Sequence, residues 1–246
     1  ADFDFVSPDN TSDGNLQKRW KIIDGKRCLL KSGSTPFRQQ PFNEVIATLI
    51  MNKLGIEHVP YTITWIDNKP YSVCENFVTK DTELISAWRV LQLRQKENHE
   101  SSYLHYVNIC KKLGVNIVPA LDLMIVLDYI IANEDRHFNN FGLLRDANTL
   151  EWIGAAPIFD SGTSLWYDTP ARGISIYDIP CKPFKKKHSE QLQMVSSFDW
   201  LDISKLNGIE DEILNILCED NAVQYVESER AKAIAAEVRK RIDTLE

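Results

Sequence analysis

At 246 residues, with 43% apolar and 26% charged side chains, the chain can build one sizeable core or two lobes around a cleft. A net charge of −7 excludes a protein that coats nucleic acid through a basic stripe, and no run approaches the roughly 18 continuous apolar residues of a membrane span. The five cysteines, Cys28, Cys74, Cys110, Cys181 and Cys218, are scattered and form no C-x-x-C pair, so they read as small buried hydrophobes of a reducing, cytoplasmic compartment.

The opening ADFDFVSPDN carries neither the basic region nor the apolar core of a signal peptide. Residues 17–31 read as a β-hairpin, two strand-like runs flanking Asp24-Gly25, a pair that tolerates the positive φ of a two-residue turn. Val45, Ile46, Leu49, Ile50 and Leu54 then recur at three- and four-residue steps, with Pro41 suited to a first turn and Gly55 to a stop, which predicts a helix over 41–56. Residues 59–78 give two more strands around Asp67-Asn68. Beyond Val78 the pattern changes: 83–95 and 101–114 are predicted helices, and 119–132 is apolar nearly all round, as a buried central helix would be. Two short strands follow within 141–146 and 150–160, and most of the chain from Ser189 onward is predicted helical. The expected fold is α+β, with a small β-rich lobe over 1–78 and a larger helical lobe over 79–246.

Between the buried helix and the later strands lies NEDRHFNNFG, residues 133–142. Asn and Asp favour turns, so one reading is a polar turn in which Asp135 caps the helix end and Arg136 makes a surface ion pair. The other reading rests on spacing. An Asp followed five residues later by an Asn, here Asp135 and Asn140, is the catalytic-loop arrangement of protein kinases. The Asp takes the proton of an acceptor hydroxyl, and the Asn oxygen suits magnesium, which prefers hard ligands. Asp160 follows the apolar APIF and precedes a Ser-Gly turn, so it can reach the same metal as the Asp of a D-F-G motif would, with Ser161 in place of Phe. His137 either orients Asp135 or a phosphate, or packs beneath the loop; Asn139 reads as a turn residue.

Lys31, at a strand end, offers an ammonium to nucleotide phosphates as a point charge, and Glu44 in the following helix can pair with it. The plain alternative is an exposed lysine and a favourable first-turn acid. The segment 7–15 can cover phosphates with backbone N–H groups around Gly14, its one glycine; Ser7, Thr11 and Ser12 in it are turn residues that also offer hydroxyls for autophosphorylation. CENFV, 74–78, sits at the expected lobe junction, where a hinge backbone would meet adenine, although a plain linker would read the same. KPFKKKH places four lysines between Lys182 and Lys187; the preferred reading is a solvated loop, and the second is a docking patch for an acidic or phosphate-bearing partner.

KRCLLKSG, NEVIATLIMNKLGI, IIANEDRHFNNFGLL and APIFDSGTSLW, in that order, resemble the HipA-like Ser/Thr protein kinase family of bacteria over most of the chain. The resemblance implies a two-lobed protein-kinase-like fold using ATP and Mg2+. It implies that Lys31, positioned by Glu44, contacts the ATP phosphates, that Asp135 is catalytic, that Asn140 and Asp160 hold magnesium, and that Glu75 and Phe77 lie at the adenine hinge. The implied partners are a protein substrate and an antitoxin-like protein, although the further N-terminal subdomain of the toxin members has little room here. The nucleotide loop is glycine-poor and no A-P-E segment follows Asp160. D-R-H-x-x-N also resembles phosphatidylinositol kinases, which keeps a lipid or small-molecule kinase as an alternative, and a catalytically silent pseudokinase is a third.

Overall fold

The computed structural model describes residues 18–174 and 179–245. Gly14 and the expected phosphate-covering segment 7–15 lie outside the described residues. The first sheet follows from its turns. Strands β1 (Lys18–Ile23) and β2 (Lys26–Ser32) pair antiparallel around Asp24-Gly25, both at positive φ, 49° and 78°. Strands β3 (Thr62–Ile66) and β4 (Lys69–Glu75) do the same around Asp67 and Asn68, at φ 50° and 57°. The antiparallel sheet runs β1-β2-β4-β3. Between the two hairpins, helix α1 (Gln40–Leu54) carries Pro41 in its first turn and stops at Gly55, left-handed at φ 70°.

The structure departs from the expected helix over 83–95. Residues Thr82–Ser86 form strand β5, and helix α2 covers only Ala87–Leu91, capped by the Ser86 hydroxyl, which accepts from the Arg89 N–H. Strand β5 pairs antiparallel with β6 (Gly142–Asp146), which pairs in turn with β7 (Trp152–Ala155). Gly142 permits this pairing, because a Cβ there would lie 2.2 Å from the Ile85 carbonyl oxygen. The second expected strand is likewise shorter than 150–160. Past β7, Ile158 makes one isolated bridge to His58, and Asp160 lies in a loop.

Helices α3 (Ser102–Lys112), α4 (Val118–Ile130), α5 (His188–Leu192), α6 (Ile209–Leu217) and α7 (Ser228–Asp243) complete the fold. From Gln193 to Gly208 the expected helicity is absent apart from one 3-10 turn. The inner face of α1, with Phe42, Ile46 and Ile50, shares one continuous core with Leu121 and Leu127 of α4, Ile213 of α6 and Ile234 and Val238 of α7. The helix of the β-rich half is thus embedded in the helical half, and Lys53 on α1 adds a 2.6 Å ion pair to Glu212 on α6. No helix among the described residues is long and apolar enough to cross a membrane.

His188, first residue of α5, is buried against the Tyr129 ring, 6.3 Å between centroids. Burial, then the charge of Arg241, pushes its pKa down from 6.5 to about 3. Its imidazole therefore stays neutral in the folded chain while the unfolded chain takes up a proton below the usual value, so stability falls as pH drops through that window. Between pH 7 and pH 5 wild type should lose about 1–2 kcal/mol more stability than His188→Phe, by denaturant titration. Parallel pH profiles would remove His188 from this role.

Candidate active site

The centre of the site is Arg136, fully buried, and not the surface arginine of the polar-turn reading. Its Nε and one terminal nitrogen grip the equally buried Asp128 of α4 at 2.9–3.3 Å. The same terminal nitrogen donates to Ser161 Oγ at 2.9 Å. The other donates to the carbonyls of Asn140, Phe159 and Asp160. One side chain therefore fastens the loop 133–142 to the segment carrying Asp160. Asn133 reinforces it: its amide donates to Asp128 at 2.8 Å and its oxygen accepts from the Asp135 N–H at 3.1 Å.

Within the loop, the Asn140 side-chain amide donates to the Asp135 carbonyl at 3.0 Å, and Asn140 Oδ1 accepts none of the described hydrogen bonds. The Asp135 carboxylate stands about one-third exposed, with its Oδ1 2.7 Å from Lys182 Nζ. His137 Nδ1 accepts from the Asn139 N–H at 3.2 Å, which places the proton of a neutral ring on Nε2, a buried atom with no partner. The Asn139 side chain accepts from Ser86 Oγ at 3.1 Å, which ties the loop to the end of β5. Beside Asp135, burial and then the charges of Asp168 and Asp135 raise the Glu134 carboxyl to about 7.

Lys31, Glu44 and Asp160 meet as a second constellation. Lys31 Nζ lies 2.7 Å from Glu44 Oε1 and 2.9 Å from Asp160 Oδ1, with the Tyr61 ring 4.8 Å away. Lys31 and Glu44 are both buried, which rules out the exposed-lysine reading. Burial opposes the Lys31 charge, but Asp160 and Glu44 outweigh it and hold its pKa well above the usual value. Burial likewise pushes Asp160 up, yet Lys31 and Lys18 keep its carboxyl well below the ordinary range. Lys18 on β1 approaches Asp160 to 4.0 Å. Asp160 itself sits at φ 56°, a left-handed conformation that costs a non-glycine residue energy and is over-determined here by its neighbours.

Ser161, which replaces the expected Phe, is a node of this network. Its N–H donates to Glu44 Oε2 at 2.9 Å and its carbonyl accepts from Ser164 Oγ. The next residue, Gly162, has no room for more: a Cβ would come within 3.2 Å of Glu44 Oε1 and the Gln40 carbonyl. At the lobe junction, Phe77 packs on Phe159, centroids 5.3 Å apart, in an apolar cluster with Leu29, Val59, Tyr61 and Cys74. The Glu75 side chain points elsewhere, into an exposed 2.7 Å pair with Lys26, so only its backbone faces that junction.

Several residues of the site went unread in the sequence. Asn43 of α1 donates to the carbonyls of Gly162 and Ser164 at 2.9 and 2.7 Å, and Gln39 donates to that of Leu165 at 2.8 Å. From α7, the buried Arg230 donates to Gln39 Oε1 at 2.7 Å and to the carbonyls of Trp166 and Thr169. These are contacts between distant segments, and none leaves a local pattern.

A strand lysine held by a helix glutamate in a four-stranded lobe, above a loop bearing Asp and Asn, defines a protein-kinase-like fold. Solved structures agree. The crystal structure of the proinflammatory kinase CtkA from Helicobacter pylori superposes with a TM-score of 0.64 at 20% identity, covering 92% of this chain and 91% of that one. HipA of Shewanella oneidensis, solved with HipB and operator DNA, gives 0.56 at 14% identity over 97% of this chain and 65% of that one. The HipA-like C-terminal domain model matches residues 13–245, and the chain belongs to that family. In sequence it is 28% identical over 132 residues to the serine/threonine-protein kinase CtkA of Helicobacter pylori; that alignment spans 51% of this chain and 40% of its relative.

Removing one partner of the buried Arg136–Asp128 pair leaves an uncompensated charge. Asp128→Asn should cost roughly 3–5 kcal/mol of unfolding free energy, measured by denaturant titration. A loss below about 1 kcal/mol, the range of exposed pairs, would show that the pair does not organise the loop.

Proposed function

We propose that the chain is an ATP- and magnesium-dependent kinase that transfers the γ-phosphate to a Ser or Thr hydroxyl of a protein. The observation that carries this reading is the ammonium of Lys31 held between Glu44 and Asp160, beside a loop whose Asp135 carboxylate is about one-third exposed and whose Asn140 Oδ1 accepts none of the described hydrogen bonds. Family membership and the name of the curated relative support it.

The donor set fits Mg-ATP. Asn140 Oδ1 and the strongly acidic Asp160 are hard oxygen ligands, and magnesium commonly takes only one or two carboxylates and completes its shell with water and phosphate oxygens. Accordingly, no cluster of three or more His, Cys, Asp or Glu side chains able to hold a metal occurs among the described residues. The apolar cluster of Leu29, Phe77 and Phe159 would receive adenine, with the backbone of 75–77 as the hinge. Bound Mg-ATP supplies the phosphoryl group and the neutralising charge of the metal. Lys31, positioned by Glu44, would contact the phosphate oxygens with its ammonium. Asp135 would orient the acceptor hydroxyl and take its proton, with His137 beside it in the same loop to orient Asp135 or a phosphate. Catalysis on this scheme is positioning and charge neutralisation. On this reading the lobes are residues 1–78 and 79–246, and the likeness to HipA, solved with HipB, supports an antitoxin-like protein partner.

Labelled γ-phosphate transfer should fall by about 10²–10⁴-fold in Asp135→Asn with the melting temperature kept; equal turnover would sink the assignment. By calorimetry, Asp160→Ala should weaken Mg-ATP binding, and unchanged affinity would take Asp160 out of the metal site.

A further inference from the structure

We infer that Lys182 is a catalytic residue of this site, contacting the transferring phosphoryl group from the acceptor side. The inference rests on the kinase reading above.

The four-lysine stretch is a built turn with one lysine singled out. All four lysines are exposed to solvent, and among them the Lys182 ammonium lies 2.7 Å from Asp135 Oδ1. The turn is fixed from beneath by Gln191, which is 1% exposed. Its side-chain oxygen accepts from the N–H groups of Phe184 and Lys185 at 3.0 and 3.2 Å, and its amide donates to the Lys182 carbonyl at 2.9 Å. From above, the Phe184 ring meets Phe138 and Phe141, centroids 5.8 and 6.2 Å away. Those two phenylalanines belong to the loop that carries Asp135 and Asn140. The turn and the loop therefore form one packed unit that delivers Lys182 to the carboxylate.

An exposed ion pair contributes about 0–1 kcal/mol, too little to account for a turn fixed from both sides. Chemistry supplies the missing reason. In the transfer, the acceptor oxygen forms a bond to the γ-phosphorus while the bond from that phosphorus to the β–γ bridging oxygen breaks. The electron pair leaves with ADP, and the acceptor proton passes to Asp135. Negative charge spreads over the three equatorial oxygens during this step. On the nucleotide side stands Lys31. On the acceptor side the arginine of the loop, Arg136, is turned inward and fully engaged. The surroundings there are acidic, with Glu134 and Asp168 near Asp135. Lys182, with a half-exposed side chain free to swing from carboxylate to phosphate, is the cation paired with Asp135 among the described residues.

Calorimetry of Mg-ADP alone, and with aluminium fluoride as a mimic of the transferring group, tests this without an acceptor. Wild type that binds no Mg-ADP, or gains no affinity from fluoride, overturns the kinase reading and this inference together. With that gain present, Lys182→Gln should bind Mg-ADP within about twofold of wild type and lose about 10²-fold of the fluoride-dependent affinity. Lys182→Arg should recover part of it, and Lys186→Ala, on the same turn, should keep all of it. A full fluoride gain in Lys182→Gln, or an equal loss of plain Mg-ADP binding, overturns the role of Lys182 and leaves the kinase reading standing.

Discussion

The geometry of the site depends on one guanidinium held out of water. Desolvating a charge of that size costs several kcal/mol, recovered only if every donor finds a partner. Arg136 meets that condition with Asp128, three backbone carbonyls and the Ser161 hydroxyl. Because the partners come from α4, from its own loop and from the segment around Asp160, satisfying the charge and assembling the site are the same event. A lysine could not substitute, since a point charge with three donors lacks the planar fork that reaches all three segments.

The second constraint is the seat of α1. Glu44 alone would let the helix slide with the sheet above it. Asn43, next to Glu44 on the same helix, and Gln39 at its N-cap are bonded to the carbonyls of Gly162, Ser164 and Leu165, and Arg230 braces Gln39 from α7. With its apolar face in the common core, α1 belongs to both halves at once. That position fixes Lys31 relative to Asp160 although the two are 129 residues apart.

What could be read in advance was local chemistry. Asp24-Gly25 and Asp67-Asn68 announced their turns because these residue types tolerate positive φ without help from distant contacts, and the all-apolar α4 announced its burial. Residues 82–86 misled because a short mixed segment with Leu84 and Ile85 fits the start of a helix and a partly buried strand equally, and the strand that decides between them comes much later in the chain. Lys31, Glu44, Asp135, Asn140 and Asp160 stood out by type, order and spacing. Arg136 did not, because a loop arginine is usually exposed and the Asp128 that captures it gives no signal of its own. The lysine turn failed in a similar way: three of its four lysines are the solvated charges the pattern suggests, and the fourth is aimed by Gln191 and Phe184, contacts that exist only once the chain is folded.

The brace from Arg230 also bears on how the protein is made. Lys31, Glu44, Asp135, Asn140 and Asp160 all precede Ser161 in the chain, yet Arg230, on the helix that braces Gln39, comes well after them. Chains generally fold from the N-terminus as they emerge, but here the β-rich half cannot reach its final packing ahead of α7. A chain synthesised only as far as Ser161 would carry these side chains without the brace that steadies α1, so their arrangement waits until α7 has been made.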